Sequence, residues 1–429
     1  MPLFPKRTLL FLIGKNLILI GKNPYKFIKK DYFCHKKELN MLFSLLLSVM
    51  PMFVCLFWVI LLLSGRERNL SKRYLAFFLS LSVINYFTHA AFFNHEYKLF
   101  AFMDNVWVFT SLVGYPLYYY YIRLLTRDVK INWRWNWIAA PAFLLSLFSF
   151  VIYFTMSPAE LDMFIHGVMY HEAGYTEPYP QLVRLQLLRM SLFRIVFIVQ
   201  VALSVYFGLR LIIRYNKNVR EFYSNTGGKD LSPVKWLLFA FLFASVISLL
   251  SNVIGKDFFI DKPALLAIPS VTHSLFLFFI GYVGYHQDFT IAHFVKDMND
   301  YRDQKAFLNG KGSLSSKNRI TKRQLTHLME EEKLFTNPEL RITDIALMLG
   351  TNRTYISRIV NEEMKTNFCD WINSYRIDYA VNIMNDPEQN HLSALHISEM
   401  SGFSSVSVFY RTFKEKQGIS PGKYRSLNG

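Results

Sequence analysis

ITDIALMLGTNRTYISRIVNEE, residues 342–363, and ALHISEMSGFSSVSVFYRTFKEK, residues 394–416, are two copies of one pattern. In each, a short amphipathic segment runs to a glycine, Gly350 or Gly402, a turn containing Ser, Thr or Asn follows, and a second helix begins. In the first copy Ile342, Ile345, Ala346 and Leu349 share one side of the leading helix, and Tyr355, Ile356, Ile359 and Val360 share one side of its partner. In the second, Leu395, Ile397 and Met400 face Phe403, Val408, Phe409 and Phe413. Steps of three and four residues put each set on one helical face, so the paired helices bury against each other. Glycine supplies the backbone geometry of the tight turn, and the result is a helix-turn-helix, whose second helix offers its exposed face to the major groove of DNA. Between the copies, FCDWINSYRIDYAVNIM (368–384) carries Phe368, Ile372, Tyr375, Tyr379 and Ile383 at the same steps, which predicts a helix tying the two units together.

Upstream the composition changes. The chain is 52% hydrophobic and 18% charged, too apolar for an ordinary soluble protein, where about 25% of residues are charged. The excess collects in runs of about 20 residues, the helix length that crosses ~30 Å of hydrocarbon. Spans are expected at about 41–63, 74–93, 106–125, 136–155, 191–213, 236–254 and 264–285. The fold class is therefore all-α: a polytopic bundle of about seven membrane helices followed by the paired helix-turn-helix units. Trp58, Trp107, Trp133, Trp135, Trp137 and Trp236 fall near predicted helix ends and are expected to be interface anchors.

Charge in the loops orients the bundle. The first connection has Arg66, Arg68, Lys72 and Arg73, the third Arg123, Arg127, Lys130 and Arg134, and the fifth Arg214, Lys217, Arg220, Lys229 and Lys235. The alternate connections hold only Lys98, then Arg184 and Arg189, then Lys256 and Lys262. Positive loops stay on the cytoplasmic side, so the segment after the seventh helix is expected in the cytoplasm and the protein in the inner membrane. This orientation would export residues 1–40, which carry nine Lys/Arg against two Asp/Glu. Two expectations follow: either 1–40 is a basic extension foreign to the natural protein, with Met41 its true start, or it is a cytoplasmic, lipid-binding arm before a further segment.

Asn85, His89, Arg194, Gln200, Asn252 and His273 lie inside spans. Ionisable groups there are costly and are functional candidates, although helix-to-helix hydrogen bonds account for most buried Asn and Gln and Arg194 is near enough to an end to snorkel. The outer loop, 156–190, contains His166, His171 and Glu172, whose spacing matches no zinc signature. Tyr118 to Tyr121 reads as an aromatic belt or packed helix face. Cys34, Cys55 and Cys369 are too few and scattered for a disulfide framework or CxxC site, and no metal or cofactor is implied. Residues 286–318 form a polar linker with a short juxtamembrane helix and a Gly/Ser-rich connector at 309–319. The resulting division is a 1–40 extension, a 41–285 membrane sensor, a 286–318 linker and a 319–429 DNA-binding domain.

Bulk charge does not mark DNA binding: 319–429 has 14 Lys/Arg against 13 Asp/Glu. The residues do. GFSSVSVFYRTFKEKQGISPGKYR (402–425) resembles the terminal signature of the AraC/XylS-type transcriptional regulators through Gly402, Phe403, Phe409, Arg411, Phe413, Lys414, Gly418, Pro421, Tyr424 and Arg425. Asn373 and Arg376 supply the Asn-x-x-Arg feature of the linker helix, while Ser398 stands where the family commonly has Ala. The resemblance covers about 110 residues. More loosely, the apolar half is similar to that of bacterial regulators in which seven apolar helices replace a soluble effector domain.

The resemblance implies two recognition helices in successive major grooves on one face of double-stranded DNA, about one helical turn apart. The readers it places are Arg353, Thr354, Ser357 and Arg358 on the first helix and Ser405, Val406, Ser407 and Arg411 on the second. Arg can bond guanine bidentately. Lys414, Lys423 and Arg425 are placed on phosphates, with Glu362 and Glu363 as competing partners for Arg358. The implied partners are DNA, the lipid bilayer, a second copy of the chain on DNA, RNA polymerase and an unidentified effector. The absence of kinase, nucleotide-binding, HExxH and GxSxG motifs argues against an enzyme. The alternatives are a transporter or receptor with a DNA-binding appendage, and a plain membrane anchor.

Overall fold

The computed structural model describes residues 24–65, 69–260, 262–310 and 321–428, so the first 23 residues, Arg66 and Arg68 of the first connection, and most of the Gly/Ser-rich connector expected at 309–319 lie outside the described residues. Six stretches among the described residues are long and apolar enough to cross a membrane: Met41–Ser64, Leu70–Phe93, Trp133–Thr155, Gln181–Phe222, Ser232–Ile254 and Ala264–Phe307. They belong to α1 (Pro24–Ser64), α2 (Leu70–Phe93), α4 (Ala140–Thr155), α6 (Gln181–Phe222), α7 (Ser232–Ile254) and α8 (Pro263–His286), the last followed by α9 (Ile291–Gly310). α1 runs unbroken through Met41. Helix is the form that satisfies every backbone group where no water is available.

The expected third span, 106–125, is also helical, as part of α3 (Tyr97–Thr126), but it plays a different part. α3 packs against α2, α4 and α6, and Phe100, Val108, Leu112, Tyr118, Ile122 and Leu125 on it are fully buried. A helix enclosed by protein has no need of a hydrocarbon-facing surface, which is why α3 accommodates Asp104, Arg123 and the Tyr118–Tyr121 run. Asp104 is 0% exposed and forms an ion pair with Arg189 of α6 at 3.0 Å, while also accepting from Tyr153 Oη at 2.9 Å.

The outer surface of the bundle is apolar, as lipid requires: Phe57 and Ile60 on α1, Leu144 and Phe154 on α4, Ile195 on α6, and Phe243 on α7 are exposed. Trp133, Trp137 and Trp236 share this exposure and suit the anchor role. Trp58 and Trp107 do not: both are buried in the protein, Trp58 against Phe278 and Tyr285 and Trp107 against Phe193. On α8, Gly281 and Gly284 face Trp58 and Leu75 so closely that a Cβ at either would overlap them, the small-residue contact by which membrane helices approach.

At the end that carries the 156–190 loop, α5 (Pro158–Asp162) begins with Ser157 and Glu160 capping each other, and Phe92, Phe100, Phe164 and Tyr170 form an aromatic plug beneath the loop. His166 hydrogen-bonds Glu172 at 2.9 Å, whereas His171 turns to Asp257 at 3.2 Å, so the loop's two histidines point to different partners. At the opposite end, Lys72 pairs with Asp288 at 2.6 Å and Arg123 with Asp128 at 2.7 Å, while the Arg123 guanidinium lies 3.8 Å above the Trp135 ring.

The remaining helices, α10 (Lys322–Glu330), α11 (Ile342–Met348), α12 (Arg353–Arg358), α13 (Phe368–Asn385), α14 (Ala394–Met400), α15 (Val406–Gln417) and α16 (Pro421–Asn428), pack at that same end. One continuous apolar core runs from Tyr118 and Leu75 in the bundle through Phe222 and Tyr301 to Leu340, Ile356 and Phe368. A separate core holds Ile383, Ile397, Phe403, Phe409 and Phe413.

Candidate nucleic-acid interface

Each helix-turn-helix unit is built by local caps. In the first, the Arg341 backbone N–H donates to Asp344 Oδ2 at 2.8 Å to open α11, Gly350 takes φ +63° in the turn, and Asn352 Oδ1 accepts from Tyr355 N–H at 2.8 Å to open α12. α12 continues with wider turns to Glu363. In the second, Ser393 caps α14, Gly402 has φ +81°, and Ser405 Oγ accepts from Val408 N–H at 3.3 Å to open α15. Gly402 admits no other residue, because a Cβ there would lie 2.5 Å from the Phe335 carbonyl oxygen and 2.6 Å from that of Thr336. These side-chain and glycine devices satisfy the unpaired groups at helix ends.

The eight expected readers and the phosphate-contact candidate Lys414 meet different fates. Thr354, Arg358, Ser405, Ser407, Arg411 and Lys414 are exposed, and Ser357 and Val406 partly so. Arg358 lies 4.8 Å above the Tyr355 ring, and the ion pairs among the described residues do not join it to Glu362 or Glu363. The Ser405 hydroxyl is committed to its cap. Arg353 is drawn toward the bundle: its backbone N–H donates to Tyr301 Oη at 3.3 Å, and its guanidinium stands 5.9 Å above the Phe222 ring. Arg425, expected on phosphate, instead donates to the Leu392 carbonyl at 2.7 Å and is half-buried. Ser398 is buried at 1% exposure with its hydroxyl unpartnered, so Ala would fill the same space.

The hub of the assembly is Arg376, which is 0% exposed. Its Nε donates to the Phe335 carbonyl at 2.7 Å and Nη2 to the Asn337 carbonyl at 2.9 Å, while Nη1 reaches Asn373 Oδ1 at 3.3 Å. The rest of its donors leave the C-terminal segment: Nη1 bonds the Ser224 carbonyl and Nη2 the Ser224 hydroxyl, both at 3.0 Å. Burial pulls Arg376 down to about 10, which leaves it charged at neutral pH.

Ser224 belongs to the turn between α6 and α7, and this turn is wedged against both units. Ser224 N–H donates to the Leu340 carbonyl at 3.1 Å, extending the Tyr223–Arg341 bridge. Asn225, 2% exposed, donates from Nδ2 to the Pro338 carbonyl at 2.6 Å and the Gly402 carbonyl at 3.1 Å. Gly227 abuts Ser404 and Val408, where α15 begins. Cys369 donates its thiol to the Ser224 carbonyl at 3.4 Å, and burial pushes that thiol up to about 11. Beside it Asp297 of α9 accepts from Tyr223 Oη at 2.5 Å and pairs with Arg341 at 3.1 Å. Burial, and then this carboxylate, hold the Tyr223 phenol well above its ordinary value.

Sequence reasoning named Asn373 and Arg376 but missed Ser224 and Asn225. The only local signal was a turn-forming SNTGG run at 224–228, which predicts a loop and nothing about what it touches. Of the six polar residues expected inside spans, Asn85, His89, Arg194, Asn252 and His273 converge on one cavity. Arg194 does not snorkel: its Nε and Nη2 turn inward to Asn252 Oδ1 and carbonyl at 3.2 and 3.1 Å. Gln200 is buried with its amide unpartnered.

A helix-turn-helix domain family matches residues 345–426. The chain is similar to the uncharacterized HTH-type transcriptional regulator YtdP of Bacillus subtilis, 32% identical over 87 residues, which is 20% of this chain and 11% of that protein. It is 33% identical over 89 residues to the melibiose operon regulatory protein of Escherichia coli strain K12, covering 21% of this chain and 28% of that one. With the TCP pilus virulence regulatory protein of Vibrio cholerae it shares 34% identity over 84 residues, 20% and 29% of the two chains. Each of these matches thus spans less than a third of the relative's length. Residues 345–426 are an AraC-type helix-turn-helix domain, borne at the C-terminal end of a chain whose N-terminal region has six long apolar helices.

Proposed function

We propose that the protein is a membrane-held, sequence-specific transcription regulator that couples an event in the bundle to gene expression through the α6–α7 turn. The observation that carries this reading is the seating of Ser224 and Asn225 on Arg376, Pro338 and Gly402, because these contacts join one turn of the bundle to both DNA-reading units. The seated turn fixes the spacing between the units, and the seat also keeps Arg353 under Phe222 and Tyr301, away from DNA. A shift of α6 against α7 that withdraws the turn releases both constraints. Any signal acting this way must bind the two arrangements with different affinity.

In this reading Thr354, Ser357 and Arg358 on α12 and Val406, Ser407 and Arg411 on α15 meet base edges, Ser405 serving as the cap of α15, with Arg353 joining them on release and Lys414 and Lys423 on phosphates. The Lys/Arg-rich connections share the end that carries the reader, which supports a cytoplasmic placement of that end in an inner membrane. The near-neutral charge of the reader favours binding as a pair of copies, and contact with RNA polymerase would complete regulation.

The test is selection from random double-stranded DNA by the full-length protein in nanodiscs. A two-part motif with halves about one helical turn apart, lost in Arg411→Ala, is expected. Equal retention of all sequences by both proteins overturns the proposal.

A further inference from the structure

The cavity inside the bundle has a volume of about 200 Å³ and is lined by groups from α1, α2, α3, α6, α7 and α8. Its wall is largely apolar, with the aromatic Phe193, Phe241 and Phe276 among the lining side chains. Two cations also line it, Arg194 and Lys256, and no Asp or Glu does. Among the described residues, no carboxylate lies within ion-pairing distance of either. Arg194 is held by Asn252. The Lys256 ammonium is buried 3.6 Å above the Trp107 ring with no hydrogen-bond acceptor.

A second cavity of about 270 Å³ shares Arg194, Asn252 and Lys256 with the first and extends to His171 and Asp257 in the outer connections. The two carboxylates lining it are already engaged: Asp104 by Arg189 at 3.0 Å and Asp257 by His171 at 3.2 Å. The two cations therefore stand at the junction between an outer vestibule and an inner aromatic chamber. A charge removed from water and left unpaired is costly, so the Lys256 ammonium, with the half-buried Arg194 on the same cavity wall, marks a place where an anion completes the structure. Cavity volume bounds its size: an apolar cavity of ~150 Å³ holds benzene, so the inner chamber suits a body of roughly eight non-hydrogen atoms.

We infer that this cavity is a binding site for a compact organic carboxylate with an apolar body, admitted from the outer side, its carboxylate between Arg194 and Lys256 and its body among Phe193, Phe241 and Phe276. Asn252 orients Arg194 for the task. That this ligand is the effector rests on the function proposed above; that it binds does not.

The experiment is equilibrium binding to full-length protein in nanodiscs, against empty nanodiscs and without DNA, using benzoate, its neutral isostere benzyl alcohol and the cation benzylamine. Saturable benzoate binding at least tenfold tighter than benzyl alcohol is expected, with benzylamine excluded. Lys256→Gln and Arg194→Gln lose the preference for benzoate while still binding benzyl alcohol, which shows that the chamber is intact, and Lys256→Arg retains it. Benzoate binding no better than benzyl alcohol, no saturable benzoate binding up to the millimolar range, or full preference in both Gln variants overturns the inference. Benzoate binding that leaves the DNA affinity unchanged keeps the site and refutes only its regulatory role.

Discussion

Replacing Asn225 by Ala removes the two hydrogen bonds that its Nδ2 donates to Pro338 and Gly402. Each is worth about 1 kcal/mol net, and the two carbonyls lose a partner inside a buried contact, so the seat of the turn weakens by about 2 kcal/mol. That is a roughly 30-fold rise in the unseated population. Cys369 reports it directly, since its thiol is 4% exposed and donates to the Ser224 carbonyl. While the turn is seated, burial keeps the thiol near 11 and protonated at neutral pH. Once the turn leaves, the thiol returns toward about 8.5 and reacts as the thiolate. Maleimide labelling of the full-length protein in nanodiscs, resolved by peptide mass, should therefore be about 30-fold faster at Cys369 in Asn225→Ala than in the wild type when opening precedes reaction. Above pH 9 the rate through the open form levels off, whereas direct attack on a seated thiol would keep climbing tenfold per pH unit toward 11. Cys55, buried in the bundle, is the control for general loosening. An unchanged Cys369 rate, or an equal acceleration at Cys55, would refute the wedge.

Further outcomes follow from other contacts. Asp104→Ala strands the buried Arg189 guanidinium and should cost about 3–5 kcal/mol, read as a fall in thermal stability in nanodiscs, whereas replacing both residues by Leu should recover most of it. Gly402→Ala meets two backbone oxygens and should abolish hydrogen-exchange protection of α14 and α15, while Gly418→Ala, also at positive φ but with open space around it, should cost only about 1–2 kcal/mol. Lys414→Ala should lower the slope of log affinity against log salt by about one; Arg425→Ala, which loses an internal bond to Leu392, should leave that slope unchanged and reduce stability.

What was legible in the sequence is what local periodicity and charge encode. The steps from Ile342 to Val360 and from Ile397 to Phe413 define both helix-turn-helix units, although Leu395 and Met400, expected on the buried face of the second, are exposed, and Gly350 and Gly402 stand at the turns where positive φ is required. The apolar runs mark the spans, and the Lys/Arg-rich connections lie together at the end that carries the reader. Hydropathy is blind to whether a neighbour is lipid or protein, which is why the sequence does not show that α3 is enclosed by other helices and why Trp58 and Trp107, both buried, read as interface anchors. The remaining features arise from contacts distant along the chain. Ser224 meets Arg376 across 152 positions, Arg353 meets Phe222, and Asn85, His89, Arg194, Asn252 and His273 come from four helices to a single cavity. No local pattern carries that information.

Genome-wide DNA occupancy in native membranes, measured for the wild type beside Arg411→Ala, bears most directly on whether this protein regulates transcription from the membrane. Discrete peaks sharing one two-part motif, lost in the variant while its membrane level is unchanged, are expected. Peaks that persist unchanged in Arg411→Ala, or that come from a fragment released from the membrane and not from the intact chain, would contradict it.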